Sequence, residues 1–300
     1  NIDRSNMSAK KEHAMAELTI RPMLAEEVQW MIDQAAAEGW NPGLHDAEPF
    51  YQADPQGFLL AELEGEKVGC ISAVAYPGQF GFIGCYIVVP AYRGRGYGWR
   101  LWQAGMNHLR NCNVGLDGVV AQQDNYKRSG FRLVYRNIRF HGQRDAALPV
   151  LSGDPELTVL AATEVDRRAL FDYDRRYFPA ERSEFLSSWI RQPDSVALVS
   201  LTADAISGLA VIRPCLSGYK VGPLFADSQL IAESLLQQLL MSLPEGAEFY
   251  LDVPECHPQA VALAQRMAMQ SIFETARMYT GEAPAMRMEG VFGVTTFELG

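Results

Sequence analysis

Apolar and polar positions along the chain fall into blocks, and the blocks form two runs of similar order. LTIRPM, residues 18–23, has the composition of a strand. Residues 25–38 carry Val28, Ile32, Ala35 and Ala36 at helical spacing. EGWNPGLHDAEPFYQADPQG is broken by Asn-Pro and Asp-Pro and reads as loop. GFLLAELEGEKVGCISAVAY holds two β-type runs around Glu64-Gly65-Glu66, the pattern of a hairpin. GFIGCYIVV, residues 81–89, is apolar almost throughout, as a central strand is. A helix is predicted over about residues 99–110, with Trp102, Met106 and Leu109 on one side. VGLDGVV reads as a buried strand, residues 122–129 as a short helical turn, and FRLVYRNIRF as a last strand.

GQRDAALPVLSGDP then interrupts the pattern as a connector. Beyond it VALVSL and ISGLAVIRP form a strand pair, and KVGPLFA leads into a helix over about residues 227–243. FYLDVPE is a strand ahead of a helix that starts at Pro258. The order strand, strand, strand, helix, strand, helix occurs twice, which predicts an α/β (α+β) protein of two tandem domains. The expected layout is a disordered tail over 1–16, a first domain over 17–143, a linker over 144–156 and a second domain over 157–300.

Charge and composition narrow the function. A net charge of −10 removes the basic footprint that nonspecific nucleic-acid binding needs, and is compatible with a cationic substrate. The five cysteines are scattered, with no C-x-x-C pair, as reduced intracellular thiols are. The five histidines show no metal spacing, so no metal is expected. No apolar run approaches the ~20 residues of a membrane span, and the polar first sixteen residues lack a signal-peptide core, so the expected location is cytoplasmic. An oligomer is left open.

VVPAYRGRGYGWRLW, residues 88–102, sets arginines and glycines at the mouth of the predicted helix. The first turn of a helix exposes unpaired N–H groups and a partial positive charge, which suits an anion. Gly94, Gly96 and Gly98 let a phosphate approach the backbone, and Arg93 and Arg95 add charge-assisted contacts. A phosphate loop ending in Gly-Lys-Ser/Thr is absent, which argues against an NTPase, and the G-x-G-x-x-G spacing is not met. Val88-x-Pro90-x-x-Arg93-Gly94-x-Gly96-x-Gly98 resembles the acyl-CoA signature R/Q-x-x-G-x-G/A of the GNAT N-acetyltransferase superfamily. The order of elements over about residues 18–140 agrees with it. The resemblance implies a mixed, mostly antiparallel sheet flanked by helices in each domain. It also implies that amides of Gly94, Arg95, Gly96, Tyr97, Gly98 and Trp99 cradle the pyrophosphate of acetyl-CoA, and that Tyr86, Ile87 and Val88 pair with its pantetheine arm. A backbone N–H near Val88 or Val89 is the implied donor to the reaction's oxyanion.

Family members usually carry N-x-x-A-x-x-L-Y-x-x-x-G-F near the thioester. Here Tyr126-Lys127-Arg128-Ser129-Gly130-Phe131 supplies its end, the asparagine position falls on Val119, and Asn125 is the candidate replacement. A phenol in hydrogen-bond reach can protonate a departing thiolate, so Tyr126 is the candidate general acid; otherwise it is an ordinary half-buried tyrosine. The base candidates are Asp117, which reads equally as a structural acid, and Asp124, which reads equally as a helix cap. Trp40 and Phe50 fall in the loop that borders the acceptor in this superfamily, where they either shape a substrate pocket or pack on the core.

YDRRYFPAERSEFL and YKVGPLFAD are similar to the GNAT-like second domain of some tandem acetyltransferases. At the turn equivalent to the glycine loop stands Gly222-Pro223-Leu224-Phe225-Ala226-Asp227, with Asp227 expected as a helix N-cap. His257-x-x-Ala260-x-x-Leu263-Ala264 echoes the second motif without its tyrosine. This half is therefore expected not to bind CoA, and either completes the acceptor site or serves as a structural partner. The run of Asp172, Arg175, Arg176, Glu181 and Arg182 reads as a solvated face. The resemblance implies an N-acetyltransferase that moves acetyl from acetyl-CoA to a primary amine, on a small molecule or a peptide, by direct attack. The alternative is a noncatalytic acyl-CoA-binding or regulatory module.

Overall fold

A computed structural model describes residues 17–145 and 157–300; the predicted tail and most of the predicted linker lie outside them. The first half contains β1 (Leu18–Pro22), α1 (Val28–Ala37), α2 (Ala47–Ala53), β2 (Phe58–Leu63), β3 (Glu66–Tyr76), β4 (Phe80–Val88), α3 (Tyr97–His108), β5 (Asn113–Val119), α4 (Gln123–Arg128) and β6 (Arg132–Gln143). The second contains β7 (Thr158–Ala161), α5 (Arg167–Asp174), α6 (Ser183–Trp189), β8 (Val196–Thr202), β9 (Ala205–Pro214), β10 (Tyr219–Ala226), α7 (Gln229–Met241), β11 (Glu248–Pro254), α8 (Pro258–Arg266), β12 (Gln270–Tyr279) and β13 (Val291–Gly293). The stretch read as loop contains α2, because Pro49 falls in its first turn, where no N–H is needed.

All the strands join one sheet, in the order β1-β2-β3-β4-β5-β12-β6-β11-β10-β9-β8-β7, with β13 beside β10. Two neighbouring pairs are parallel, β4 with β5 and β10 with β11, and the rest are antiparallel. The halves exchange strands. β12, from the second half, lies between β5 and β6, pairing Thr275 with Val119 and also with Asn137. β6 in turn lies against β11, from Gln143 opposite Glu248 to Asn137 opposite Pro254.

Charged residues inside these apolar strands meet across the exchange. Arg277 of β12 grips Asp117 of β5 through two hydrogen bonds, of 2.9 and 2.6 Å. Arg139 of β6 grips Asp252 of β11 with two of 2.7 Å. Arg213 of β9 reaches Asp46 at the start of α2, at 2.8 and 3.2 Å. All six side chains are buried, so breaking any one pair strands a charge, at about 3–5 kcal/mol. The charge run expected to be solvated contributes a fourth pair: Arg182 is buried and bound to Asp174 at 2.8 and 2.7 Å.

Both parallel pairs come apart toward the C-terminal ends of their strands. In the second half, pairing stops after Val221 opposite Leu251. The gap beyond is filled by β13, which sets Val291 opposite Phe225 and Gly293 opposite Leu224. The Val294 amide donates to the Asp252 carbonyl at 2.9 Å, and the His257 ring meets the Val291 carbonyl at 2.9 Å. The cap of α7 is Ser228, whose hydroxyl accepts from the Ile231 amide. Asp227 does not cap it: it lies one residue before the cap, just past the end of β10, with its amide donating to the Ser207 carbonyl. Its carboxylate accepts instead from the Tyr177 hydroxyl at 2.5 Å.

Candidate active site

In the first half the corresponding gap is open. Ile83 opposite Leu116 is the last β4–β5 pair, and the strands then diverge around a cavity of about 800 Å3. A bulge in β4 helps them part: the register with β3 shifts between Cys70 and Ser72, and Cys85 takes a φ of +43°. A non-glycine held there stores on the order of 1–3 kcal/mol of strain. On the side facing β5, the backbone of Tyr86 and Ile87 is left without a strand neighbour.

One lip of the cavity is the glycine loop. Gly94 and Gly96 have φ of +76° and +81°, and Gly96 caps α3 without a side chain. Among the described residues no backbone carbonyl accepts the amides of residues 94–99, as expected for an uncapped helix mouth. Gly98 serves packing instead: a Cβ there would fall 2.7 Å from the Tyr86 hydroxyl and 3.2 Å from Val88 Cγ2. Arg93 lines the cavity but is already engaged, donating from Nε to the Val88 carbonyl at 2.8 Å and pairing with Glu38. Arg95 lies over the Tyr92 ring at 5.4 Å. Tyr97 is half-buried against the core, while Trp99 is 59% exposed on the cavity rim. The Val89 amide is taken by the Val68 carbonyl at 2.9 Å, which removes it as the oxyanion donor.

The other lip is α4. Tyr126 lines the cavity, its ring 5.8 Å from that of Trp102. Gly118 makes room for it, since a Cβ there would fall 2.3 Å from Tyr126 Cε2. Burial first, and the neighbouring Tyr86 second, push the Tyr126 phenol up to about 12. Its hydroxyl has no hydrogen-bond partner among the described residues, so it is a protonated phenol facing the cavity with its proton uncommitted. Asn125 also lines the cavity, with its amide tied to Gln122 and Arg128 within the helix.

The two base candidates separate. Asp124 is exposed, pairs with Lys127 at 3.2 Å, caps nothing and is not on the cavity wall. Asp117 does reach the wall, yet accepts from Arg277, Asn137 at 2.8 Å and Thr275 at 3.4 Å. Burial lifts its carboxyl above the ordinary range while Arg277 pulls it back. A carboxylate so committed is a clamp between strands, not a free proton acceptor. Trp40 lines the cavity; Phe50 does not, being stacked in the core near Phe58 and Trp189, with ring centroids 6.4 and 6.3 Å away.

The inner end of the cavity is built by residues the motifs did not single out. Phe273 and Thr275 come from β12, Arg139 from β6, and Phe297 and Glu298 from the segment after β13. The signal available for one of them was a charged residue inside an apolar strand, Arg139 in NIRF. Among the described residues no group of three or more His, Cys, Asp or Glu is placed to hold a metal, and no helix is long and apolar enough to cross a membrane.

A sheet that opens between two parallel strands, with free helix amides on one lip and a tyrosine on the other, is an acyltransferase cleft of the GNAT kind. The chain belongs to that family. The Acetyltransferase (GNAT) family profile matches residues 25–131, and an Acetyltransferase (GNAT) domain profile matches residues 170–293. The chain is 31% identical over 282 residues to holothin acyltransferase of a Pseudoalteromonas species, spanning 94% of each protein. Its fold matches that of a candidate acetyltransferase from Pyrococcus horikoshii, with a TM-score of 0.77 at 21% identity over 94% of this chain and 96% of the other. It also matches a tandem GNAT protein from the clavulanic acid biosynthesis pathway, at TM-score 0.63 and 15% identity over 89% and 100%.

Proposed function

We propose that this protein is an N-acetyltransferase that uses acetyl-CoA as cosubstrate and acylates a primary amine by direct attack. The observation that carries the reading is the Tyr126 hydroxyl, protonated and without a hydrogen-bond partner among the described residues, on the wall of the open cleft. The residues present fit the cosubstrate. The amides of residues 94–99 hold its pyrophosphate, the helix mouth adding a favourable partial charge. The free edge at Tyr86 and Ile87 takes the pantetheine; the Val88 carbonyl, bound to Arg93, contributes less. Tyr126 donates its proton to the sulfur as the carbon–sulfur bond breaks. Asp227 at the second half's equivalent turn, and β13 in its cleft, argue against a second cosubstrate site among the described residues. The holothin acyltransferase relative, aligned across both halves, supports reading the whole chain as one acyl-transfer unit.

The test is release of free thiol from acetyl-CoA in the presence of an amine panel. Tyr126→Phe is expected to lower kcat by about 100-fold or more with little change in acetyl-CoA affinity. With the phenol pushed up to about 12, kcat is expected to show no falling limb from this group up to about pH 10. Full turnover by the phenylalanine variant would remove Tyr126 from the acid role.

A further inference from the structure

Acyl transfer to an amine needs a group that receives the acceptor and takes its proton, and neither candidate aspartate is free to do so. The segment after β13 brings a carboxylate to this place. Residues 294–300 leave the filled cleft of the second half and cross to the open cleft of the first. They are fastened on both sides. Arg182 donates to the Thr295 hydroxyl at 3.0 Å, and the Tyr76 hydroxyl of β3 donates to the Leu299 carbonyl at 3.1 Å. Glu298 sits against Gly84, where a Cβ would fall 2.2 Å from the Glu298 carbonyl oxygen. Gly84 is the first residue of β4 beyond the last β4–β5 pair. The segment therefore crosses at the apex of the cleft, the end away from the helix mouth.

Glu298 is 7% exposed and lines the cavity. One of its carboxylate oxygens accepts the Thr296 hydroxyl; the other has no protein hydrogen bond among the described residues and is not a sealed, orphaned atom. Among the described residues no cation lies within ion-pair distance of it, although Arg139, Arg213 and Lys220 act on it electrostatically from further away. Arg139 is held by Asp252, Arg213 by Asp46, and Lys220 donates to the Asn41 carbonyl at 2.8 Å; the neighbouring Cys85 thiol is pushed well up by burial and stays neutral. Trp40, Phe273 and Phe297 wall the same end, and the Arg139 guanidinium lies against the last two rings at 5.9 and 4.8 Å. A carboxylate buried without its own ion pair is costly. That cost is offset when a ligand brings the cation.

We propose that Glu298 is the acceptor-site carboxylate: it binds the ammonium group of a primary amine carrying an apolar or aromatic body, and it takes that group's proton. This rests on the acyl-transfer reading above. The ammonium nitrogen gives one proton to the Glu298 carboxylate and becomes a neutral amine. Its lone pair forms the carbon–nitrogen bond as the carbon–sulfur bond breaks. The sulfur takes the Tyr126 proton, Tyr126 regains one from the nitrogen, and Glu298 releases its own to solvent. The products are one amide, one thiol and one proton.

Calorimetry on the whole protein with CoA bound tests this, using 2-phenylethylammonium and its neutral counterpart 2-phenylethanol as probes. The wild type is expected to prefer the ammonium by roughly 30-fold or more, and Glu298→Gln to bind the two alike, since truncating one partner of a buried charge pair costs that order of affinity. In thiol-release assays with phenylethylamine, Glu298→Gln is expected to lose about 100-fold or more in kcat/KM at pH 7, with the deficit shrinking about tenfold per pH unit as free amine accumulates. Glu298→Asp is expected to restore most of the binding preference. A wild type without the ammonium preference, or a glutamine variant that keeps it, overturns the proposal, and the wild-type comparison needs no variant to fold. If the preference is found and vanishes in the glutamine variant while no amine is ever acetylated, the ammonium site stands and the acetyl-transfer reading falls.

Discussion

Gly118→Ala displaces Tyr126, the proposed general acid, without altering its phenol. The new Cβ would lie 2.3 Å from Tyr126 Cε2, 2.7 Å from Cδ2 and 3.0 Å from Leu116 Cδ1. The backbone of β5 has little freedom to yield, since Gly118 is paired with Ala276 of β12 and its neighbour Asp117 is clamped by Arg277. The ring is backed by Trp102, so it has to slide by about 1 Å or more to recover carbon–carbon contact near 3.5 Å. On the reading of Tyr126 as the general acid, a displacement of that size costs about 100-fold in kcat, or about 2.7 kcal/mol of barrier. Overpacking is expected to cost a further 1–3 kcal/mol or so of stability. Stopped thiol-release assays at saturating acetyl-CoA, with urea melts on the same samples, separate the two effects. Gly118→Ala and Tyr126→Phe act on one event, so the double variant is expected to fall to the level of Tyr126→Phe alone, within about threefold. A folded Gly118→Ala protein with wild-type kcat, or losses that multiply in the double variant, would refute the placing of the phenol at the reacting sulfur.

The strand clamps give two further expectations. Asp117→Ala leaves the Arg277 guanidinium buried and alone, and is expected to destabilise by about 3–5 kcal/mol in urea. Asp117→Leu with Arg277→Met is expected to recover much of that loss and most of the activity; a stable double variant that is inactive would return Asp117 to the chemistry. The Asp46 carboxyl lies below its ordinary range, because Arg213 and hydrogen bonds from Arg213 and Gly43 together outweigh burial. In the unfolded chain it titrates near pH 3.9 or so, so its stabilisation is fully present above that pH and is lost as pH falls through the lower native value. Urea melts between about pH 5 and 3 should show stability rising with pH in the wild type and more weakly in Asp46→Asn; equal slopes would exclude the pair as the source.

What the sequence disclosed was local. The strand ending at Val88, the glycine loop and α3 follow one another within some twenty residues, so propensity and turn chemistry mark them directly. Tyr126 was reachable because its motif is one short run of sequence, residues 126–131, that starts on α4. The inner end of the cleft was not reachable in this way. β12 meets β5 across about 160 residues of chain, and no local pattern states which distant edge a strand will join. Glu298 stands in TTFELG, which has neither strand alternation nor helix spacing to mark it. Phe50 misled for a related reason: an aromatic in a loop-like stretch gives no sign of which way it faces until α2 turns it toward Trp189.

The exchange of β6 and β12 also bears on any attempt to trim the protein to its first half. A fragment of residues 17–145 keeps the glycine loop and Tyr126 but has a slot one strand wide between β5 and β6. Both edges of that slot would offer open backbone hydrogen-bonding groups, and Asp117 would lose Arg277. Such edges recruit strands from other molecules. The shortened product is thus expected to self-associate through that slot, as a swapped oligomer or a precipitate, rather than persist as a smaller enzyme.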